Sequence, residues 1–207
     1  MNKIFTLFTL AMIASTTAAY YTALPTPKVE TPKPLLGSFV LQVMDEAGAK
    51  LSEVHRAAIA DQIVVVAEHT FDSREQQEAF VLLVAIESKF NPKAKSTAGA
   101  IGLAQVMPKY AQDFATACGL GKLETGDLEY PAVNLKVGAC QFQRLLEAHN
   151  GSIPLALAGF NSGMHSPTVK RLAGLAAGNP ETDSYIAKFA VLRAKLDVNQ
   201  LRQGKSR

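Results

Sequence analysis

The sequence predicts an all-α globular domain. Three observations carry this. From Ser38 onward the apolar residues recur at three- and four-residue intervals, Pro and Gly fall at the edges of those runs, and alternating strand patterns are nearly absent. Phe39, Val40, Val43 and Met44 predict a short first helix. Residues 52–68 predict a longer one, with Val54, Ala58, Ile59, Ile63 and Val66 on one face. Ser73 opens a third helix through a capping box in which Gln76 reaches back. Pro92 disfavours helical geometry at Asn91, so that helix is expected to end near Lys89 or Phe90. Residues 97–103 predict a small irregular or hairpin element. Pro108 suits the first position of a helix over 109–117, which Gly119 ends. Pro131 opens a helix through Glu147, stopped by Asn150-Gly151, and Asn150-Gly151-Ser152 reads as a turn although it fits a glycosylation sequon. Helices over 153–160, 168–176 and 181–198 complete the set.

Of 207 residues, 48% are hydrophobic and 19% charged, a balance that supports a sizeable core. The net charge of +3 is spread over single Lys and Arg residues, which suits an anionic polymer and argues against nucleic acid as a partner. Lys3, the uncharged run over 4–14 and the small residues of 15–19 have the layout of a secretory signal peptide, with Thr17-Ala18-Ala19 as its cleavage site. An uncleaved anchor is the alternative, although a spanning helix needs about 20 apolar residues. No Cys follows the run to carry a lipid. Pro25, Pro27, Pro32 and Pro34 mark 20–37 as an extended linker, which leaves 38–207 for the domain. In an exported chain Cys118 and Cys140 are expected to pair, two buried thiols on neighbouring helices being the other reading. His55, His69, His149 and His165 form no metal-spaced pair, and no nucleophile elbow or phosphate-binding loop occurs. Neither a metal nor a cofactor is expected.

Glu87 ends an apolar run. Residues 80–86 are all apolar, so their helix is expected to be buried around most of its circumference. A carboxyl at its end must face a pocket or find a partner. Burial and the negative end of the helix dipole both disfavour ionisation and would raise its pKa. An acid still protonated near neutral pH can give its proton to a glycosidic oxygen. The competing reading is a structural Glu paired with Lys89 or Lys93.

The residues after Glu87 favour the acid. Glu87-Ser88-Lys89-Phe90-Asn91-Pro92, Ser96 and Gly99-Ala100-Ile101-Gly102-Leu103-Ala104-Gln105-Val106-Met107-Pro108 resemble the signature of the lytic transglycosylases with a goose-lysozyme-like domain. Two further blocks, in the family's order, are similar as well: Ala156-Leu157-Ala158-Gly159-Phe160-Asn161-Ser162-Gly163 and Pro180-Glu181-Thr182, followed by Tyr185-Ile186. The departures are Ala104 for Met, Phe160 for Tyr, and Gly159 and Ser162 for Ala. Loss of the hydroxyl at Phe160 is expected to weaken one polar contact.

The resemblance implies a lysozyme-like single domain that cuts peptidoglycan glycan strands with Glu87 as the one acid. It places Ser96, Gln105, Met107, Asn161 and Tyr185 at the substrate. Ser96 can bond the Glu87 carboxyl or a sugar, and Gln105 can bond N-acetyl or hydroxyl groups. Asn161 is a groove residue or a helix cap. Tyr185 offers a ring for stacking and a hydroxyl near the reacting centre. Met107 reads equally as core or as substrate contact, and Gly99 and Gly102 let backbone approach a sugar or simply turn the chain. The implied product is a 1,6-anhydromuramic end. A hydrolytic muramidase of goose-lysozyme type and a non-catalytic glycan-binding subunit of an envelope assembly are the rivals. The expected location is the periplasm or cell envelope and the expected state a monomer. The small domain is similar to enzymes that open peptidoglycan for secretion or conjugation machines, with housekeeping and phage-derived roles left open.

Overall fold

The computed structural model describes residues 35–204 other than 125, 164–165 and 173–179. The chain divides into Met1–Lys33 and Pro34–Arg207, and every described element belongs to the second unit. The expected signal peptide and almost all of the expected linker lie outside the described residues, as do His165 and the end of the helix expected over 168–176.

Helix α1 (Leu36–Glu46) buries Leu36, Phe39, Val40, Val43 and Met44. It starts two residues ahead of the expected boundary because Leu36 is itself drawn into the core, at 2% exposure. Helix α2 (Glu53–Thr70) is capped by Ser52, whose Oγ accepts from the His55 amide. Its buried stripe is Ile59, Ala60, Ile63, Val66 and Ala67. Val54 and Ala58, expected on that face, are exposed. At about 100° per residue they stand well round the helix from the stripe, a second apolar row left uncovered among the described residues.

Helix α3 (Arg74–Ser88) is enclosed by the described core. Ser73 Oγ accepts from the Gln76 amide, and Gln77 Nε2 donates to the Phe71 carbonyl. The seven residues Ala79, Phe80, Val81, Leu82, Leu83, Val84 and Ala85 are each at most 2% exposed, so neighbours surround the helix as its composition predicts. It stops where Lys89 and then Phe90 take positive φ, 51° and 62°. Two consecutive left-handed non-glycine residues are strained, and complete burial of the Phe90 ring offsets that cost.

Helices α4 (Pro108–Ala117) and α5 (Pro131–Ala148) each begin with Pro, flanking a single 3-10 turn at Asp127–Glu129. Then come α6 (Ile153–Ser162), α7 (Pro167–Leu172) and α8 (Pro180–Gly204). Helices α6 and α8 run past their expected ends. One core cluster joins α1, α2, α3, α5, α6 and α8 around Phe39, Phe80, Phe142 and Leu157. A smaller one gathers Ala104, Val106, Ala111, Ala115, Leu128 and Val137. Among the described residues no helix is long and apolar enough to cross a membrane.

Cys118, at the end of α4, is bonded to Cys140 in α5, with Cα atoms 6.1 Å apart. The bridge closes a loop over a separation of 22 residues. Closure of a loop that long is expected to stabilise the fold by about 3 kcal/mol. Urea melts with and without reductant measure it; coincident melts would show that the bridge contributes nothing.

Candidate active site

The segment after α3 returns on itself. Isolated bridges pair Lys95 with Ile101 and Ile101 with Val106. The small element expected over 97–103 is therefore wider, because its closing pairs lie outside the turn residues. Asn134 of α5 holds it from below, at 1% exposure. Its Oδ1 accepts from the Ala104 amide at 2.8 Å, and its Nδ2 donates to the carbonyls of Ile101 at 2.8 Å and Leu128 at 3.0 Å. Gly102 has φ +76°, and a methyl group there would land on the Asn134 amide. The missing side chain thus makes room for Asn134 and not for a sugar. A methyl on Gly138 would likewise strike the Ala104 Cβ. The backbone of α5 lies against Ala104, which suits the small side chain found there.

Glu87 sits in the last turn of α3. Tyr185, in the second turn of α8, donates its hydroxyl to Glu87 Oε1 at 2.8 Å across 98 residues of sequence. Burial pushes the Glu87 carboxyl up to about 7, while the Tyr185 hydrogen bond pulls the other way. Burial of the Tyr185 hydroxyl and the adjoining carboxylate raise the Tyr185 pKa, so the phenol stays a donor. Lys89 and Lys93 are exposed and neither pairs with Glu87, because the left-handed turn at Lys89 leads the chain off the helix. The structural ion-pair reading is thereby set aside. A half-buried carboxyl that titrates near neutrality can both give and take a proton. Tyr185→Phe removes the pull toward ionisation. The Glu87 carboxyl is then expected to titrate above its wild-type value, as followed by NMR of labelled Glu; an unchanged titration would show that the hydroxyl bond carries no weight.

The other expected site residues behave differently. Ser96 is exposed, and its Oγ accepts from the Ala100 amide at 3.0 Å instead of meeting Glu87. Its short side chain reaches the local amide first. Gln105 has φ 49°, and its Nε2 donates to the carbonyls of Ala94 at 3.2 Å and Gly102 at 2.9 Å. The amide nitrogen closes its own loop. Among the described residues the Oε1 takes no bond, so it is the end of Gln105 left for a ligand. Met107 is half-buried ahead of α4 and belongs to neither core cluster. Asn161 is exposed and is not a cap: α6 runs on to Ser162, and Gly163, at φ 92°, ends it. Tyr185 is 6% exposed within the main core, and its hydroxyl lies at Glu87 Oε1.

Two buried polar residues that tie the elements around Glu87 together were missed from the sequence. One is Asn134, whose signal was an amide on the otherwise apolar stripe of α5. The other is Glu78, 3% exposed in α3, which binds Arg74 Nε at 2.8 Å and Arg193 Nη1 at 2.6 Å. An acid on a buried stripe with Arg four residues before it was the sign. Among the described residues no group of three His, Cys, Asp or Glu side chains could hold a metal. A cavity of about 510 Å³ opens elsewhere, beside Val65, His69, Cys118 and Lys136, and has no carboxylate in its wall.

The fold has known counterparts. The inactive mutant of the lytic transglycosylase Slt from Pseudomonas aeruginosa superposes with a TM-score of 0.56 at 23% identity, over 66% of this chain and 24% of that one. The 70-kDa soluble lytic transglycosylase of Escherichia coli gives 0.51 at 20% identity, over 78% and 30%. A 70-kDa soluble lytic transglycosylase in complex with bulgecin A gives 0.59 at 20% identity, over 80% and 30%. At these identities the likeness is one of fold, and this chain spans less than a third of the length of each. Residues 66–173, just over half of the 207, match the family described as Transglycosylase SLT domain. With Glu87 and the Gly99–Met107 segment inside that match, the chain belongs to the transglycosylase SLT domain family.

Proposed function

We propose that the protein is a peptidoglycan lytic transglycosylase that cleaves the bond from N-acetylmuramic acid to N-acetylglucosamine and leaves a 1,6-anhydromuramic end. The observation that carries this reading is a half-buried acid whose own motif supplies no second carboxyl. Burial is what raises the Glu87 pKa. The sequence has no Asp or Glu from 88 to 112. Glu78 is engaged by Arg74 and Arg193, nine residues and about 13 Å back along α3. A retaining hydrolase needs a second carboxyl about 5–5.5 Å away and an inverting one needs it roughly 6.5–9.5 Å away.

With one acid, Glu87 protonates the leaving oxygen and the substrate supplies the rest. The 2-acetamido oxygen meets the charge at C1, as in other substrate-assisted glycosidases. Glu87, now ionised and bonded by Tyr185, takes the proton of the C6 hydroxyl as that oxygen attacks C1. Attack within one molecule has an advantage that bulk water lacks. Sacculi digested with the protein are expected to yield muropeptides one water lighter than hydrolysis products and resistant to borohydride. Reducible muramic ends as the main product would replace this reading with the hydrolase. We propose an exported location as well, supported by the Cys118–Cys140 bridge, since such bonds persist in oxidising compartments. N-terminal sequencing of native protein is expected to begin near Tyr20; an intact Met1 on membrane-bound protein would favour the anchor.

A further inference from the structure

Two polar contacts among the described residues join helices α3 and α8, and their order is reversed. Glu87 meets Tyr185, and nine residues earlier in α3 Glu78 meets Arg193, eight residues later in α8. The helices therefore run antiparallel between these points. At 1.5 Å per residue the intervals are about 13 Å on α3 and about 12 Å on α8, so the two contacts match in span. Nine residues is about two and a half turns, so the two acids leave opposite sides of α3. A helix held at both places is fixed in rotation as well as in translation.

We propose that the Glu78–Arg193 ion pair is a positioning clamp that sets the register of α8 on α3 and thereby delivers the Tyr185 hydroxyl to Glu87. Apolar packing of α8, through Leu196 and the Tyr185 ring, is non-directional and tolerates sliding. A slip of one helical turn moves a residue by about 5.4 Å, beyond hydrogen-bond reach. The ion pair is directional. Glu78 has a side chain 4% exposed, and Arg193 is held in turn by Asp197 at 3.3 Å. A further tie of α8, Lys195 to Glu46, has side chains 58% and 25% exposed and holds it less firmly. Setting register is the best-attested use of a buried ion pair. Of the charged groups near the end of α3, Lys89 and Lys93 are exposed, and Lys95 is paired with Glu129. The relevance to catalysis rests on reading Glu87 as the acid, but the geometry does not.

The test is a double-mutant cycle on the titration of Glu87, read by NMR of labelled Glu side chains without substrate. Substitutions more than about 7–10 Å apart with no shared partner normally act additively. Tyr185→Phe is expected to shift the titration in the wild-type background, and by less than half as much in an Arg193→Met background, where the hydroxyl no longer arrives. Arg193→Lys keeps the cation and is expected to preserve most of the Tyr185 effect. Equal shifts from Tyr185→Phe with and without the clamp would overturn the proposal. If Arg193→Met does not fold, Glu78→Gln, which keeps the side-chain volume, takes its place under the same criterion. Because no glycan is present, the result stands apart from whether digestion leaves anhydro or reducing ends.

Discussion

Glu87→Gln is expected to lower glycan cleavage by about 10²–10⁴-fold or more, the usual worth of general acid catalysis, while leaving the fold intact. The amide keeps the shape, and its oxygen can still accept from Tyr185. The same variant is expected to be more stable than wild type at alkaline pH. The folded Glu87 titrates at about 7 against 4.5 for an ordinary Glu. Below pH 4.5 both states are protonated and the group contributes nothing. Between 4.5 and 7 the unfolded chain releases its proton while the folded one keeps it, so stability falls as pH rises. Above 7 the full penalty persists. The shift corresponds to about 3 kcal/mol at about 1.4 kcal/mol per unit, reduced by partial exposure to roughly 2 kcal/mol. Glutamine carries no such penalty. Melting temperatures of the two proteins are expected to coincide at pH 4 and to part by roughly 4–8 °C at pH 8, the variant higher. Near-wild-type turnover would remove Glu87 from its role, and a melting difference independent of pH would show that its carboxyl is not held protonated by burial.

The second large effect is expected at Asn134. Asn134→Asp replaces the Nδ2 donor by an oxygen that faces the Ile101 and Leu128 carbonyls at 2.8 and 3.0 Å. Two buried carbonyls lose their partner and a charge is set against them, at a cost of about 3–5 kcal/mol. The Ile101–Val106 turn then keeps only the Ala104 amide bond to the residue-134 side chain, and its hold on Gln105 weakens. Equilibrium urea unfolding and cleavage rates are expected to fall together. Because a protonated Asp can donate to one carbonyl, the loss is expected to shrink as pH is lowered. A variant as stable as wild type at pH 7 would show that Asn134 does not hold the loop.

The positions of the helices were legible because they rest on local chemistry. Apolar spacing near 3.6 residues, Ser52 and Ser73 as caps, and Pro108 and Pro131 as starts act within a turn or two of the residues that carry them. Errors arose where two apolar rows competed, as with Val54 and Ala58 against Ile59 and Ile63, since only the neighbouring helices select a face. The start at Leu36 was misplaced by two residues because packing draws that residue into the core, whereas α6 runs two residues further, to the positive-φ Gly163 that ends it.

The sequence by itself determined an all-α chain with a carboxyl ending an unbroken apolar run, followed by a glycine-rich turn and a later Tyr. That much comes from hydrophobic burial and from the order of the residues. Only the tertiary structure decided what those groups do. Tyr185 reaches Glu87 across 98 residues, Asn134 reaches Ala104 across 30, and Arg193 reaches Glu78 across 115. It also turned Ser96 and the Gln105 amide nitrogen toward their own loop, and packed the Tyr185 ring into the core. The physical reason is range. A helix forms from hydrogen bonds four residues apart, whereas a polar contact needs its donor within about 3 Å of its acceptor, and the register that brings distant residues so close is set by the packing of whole helices.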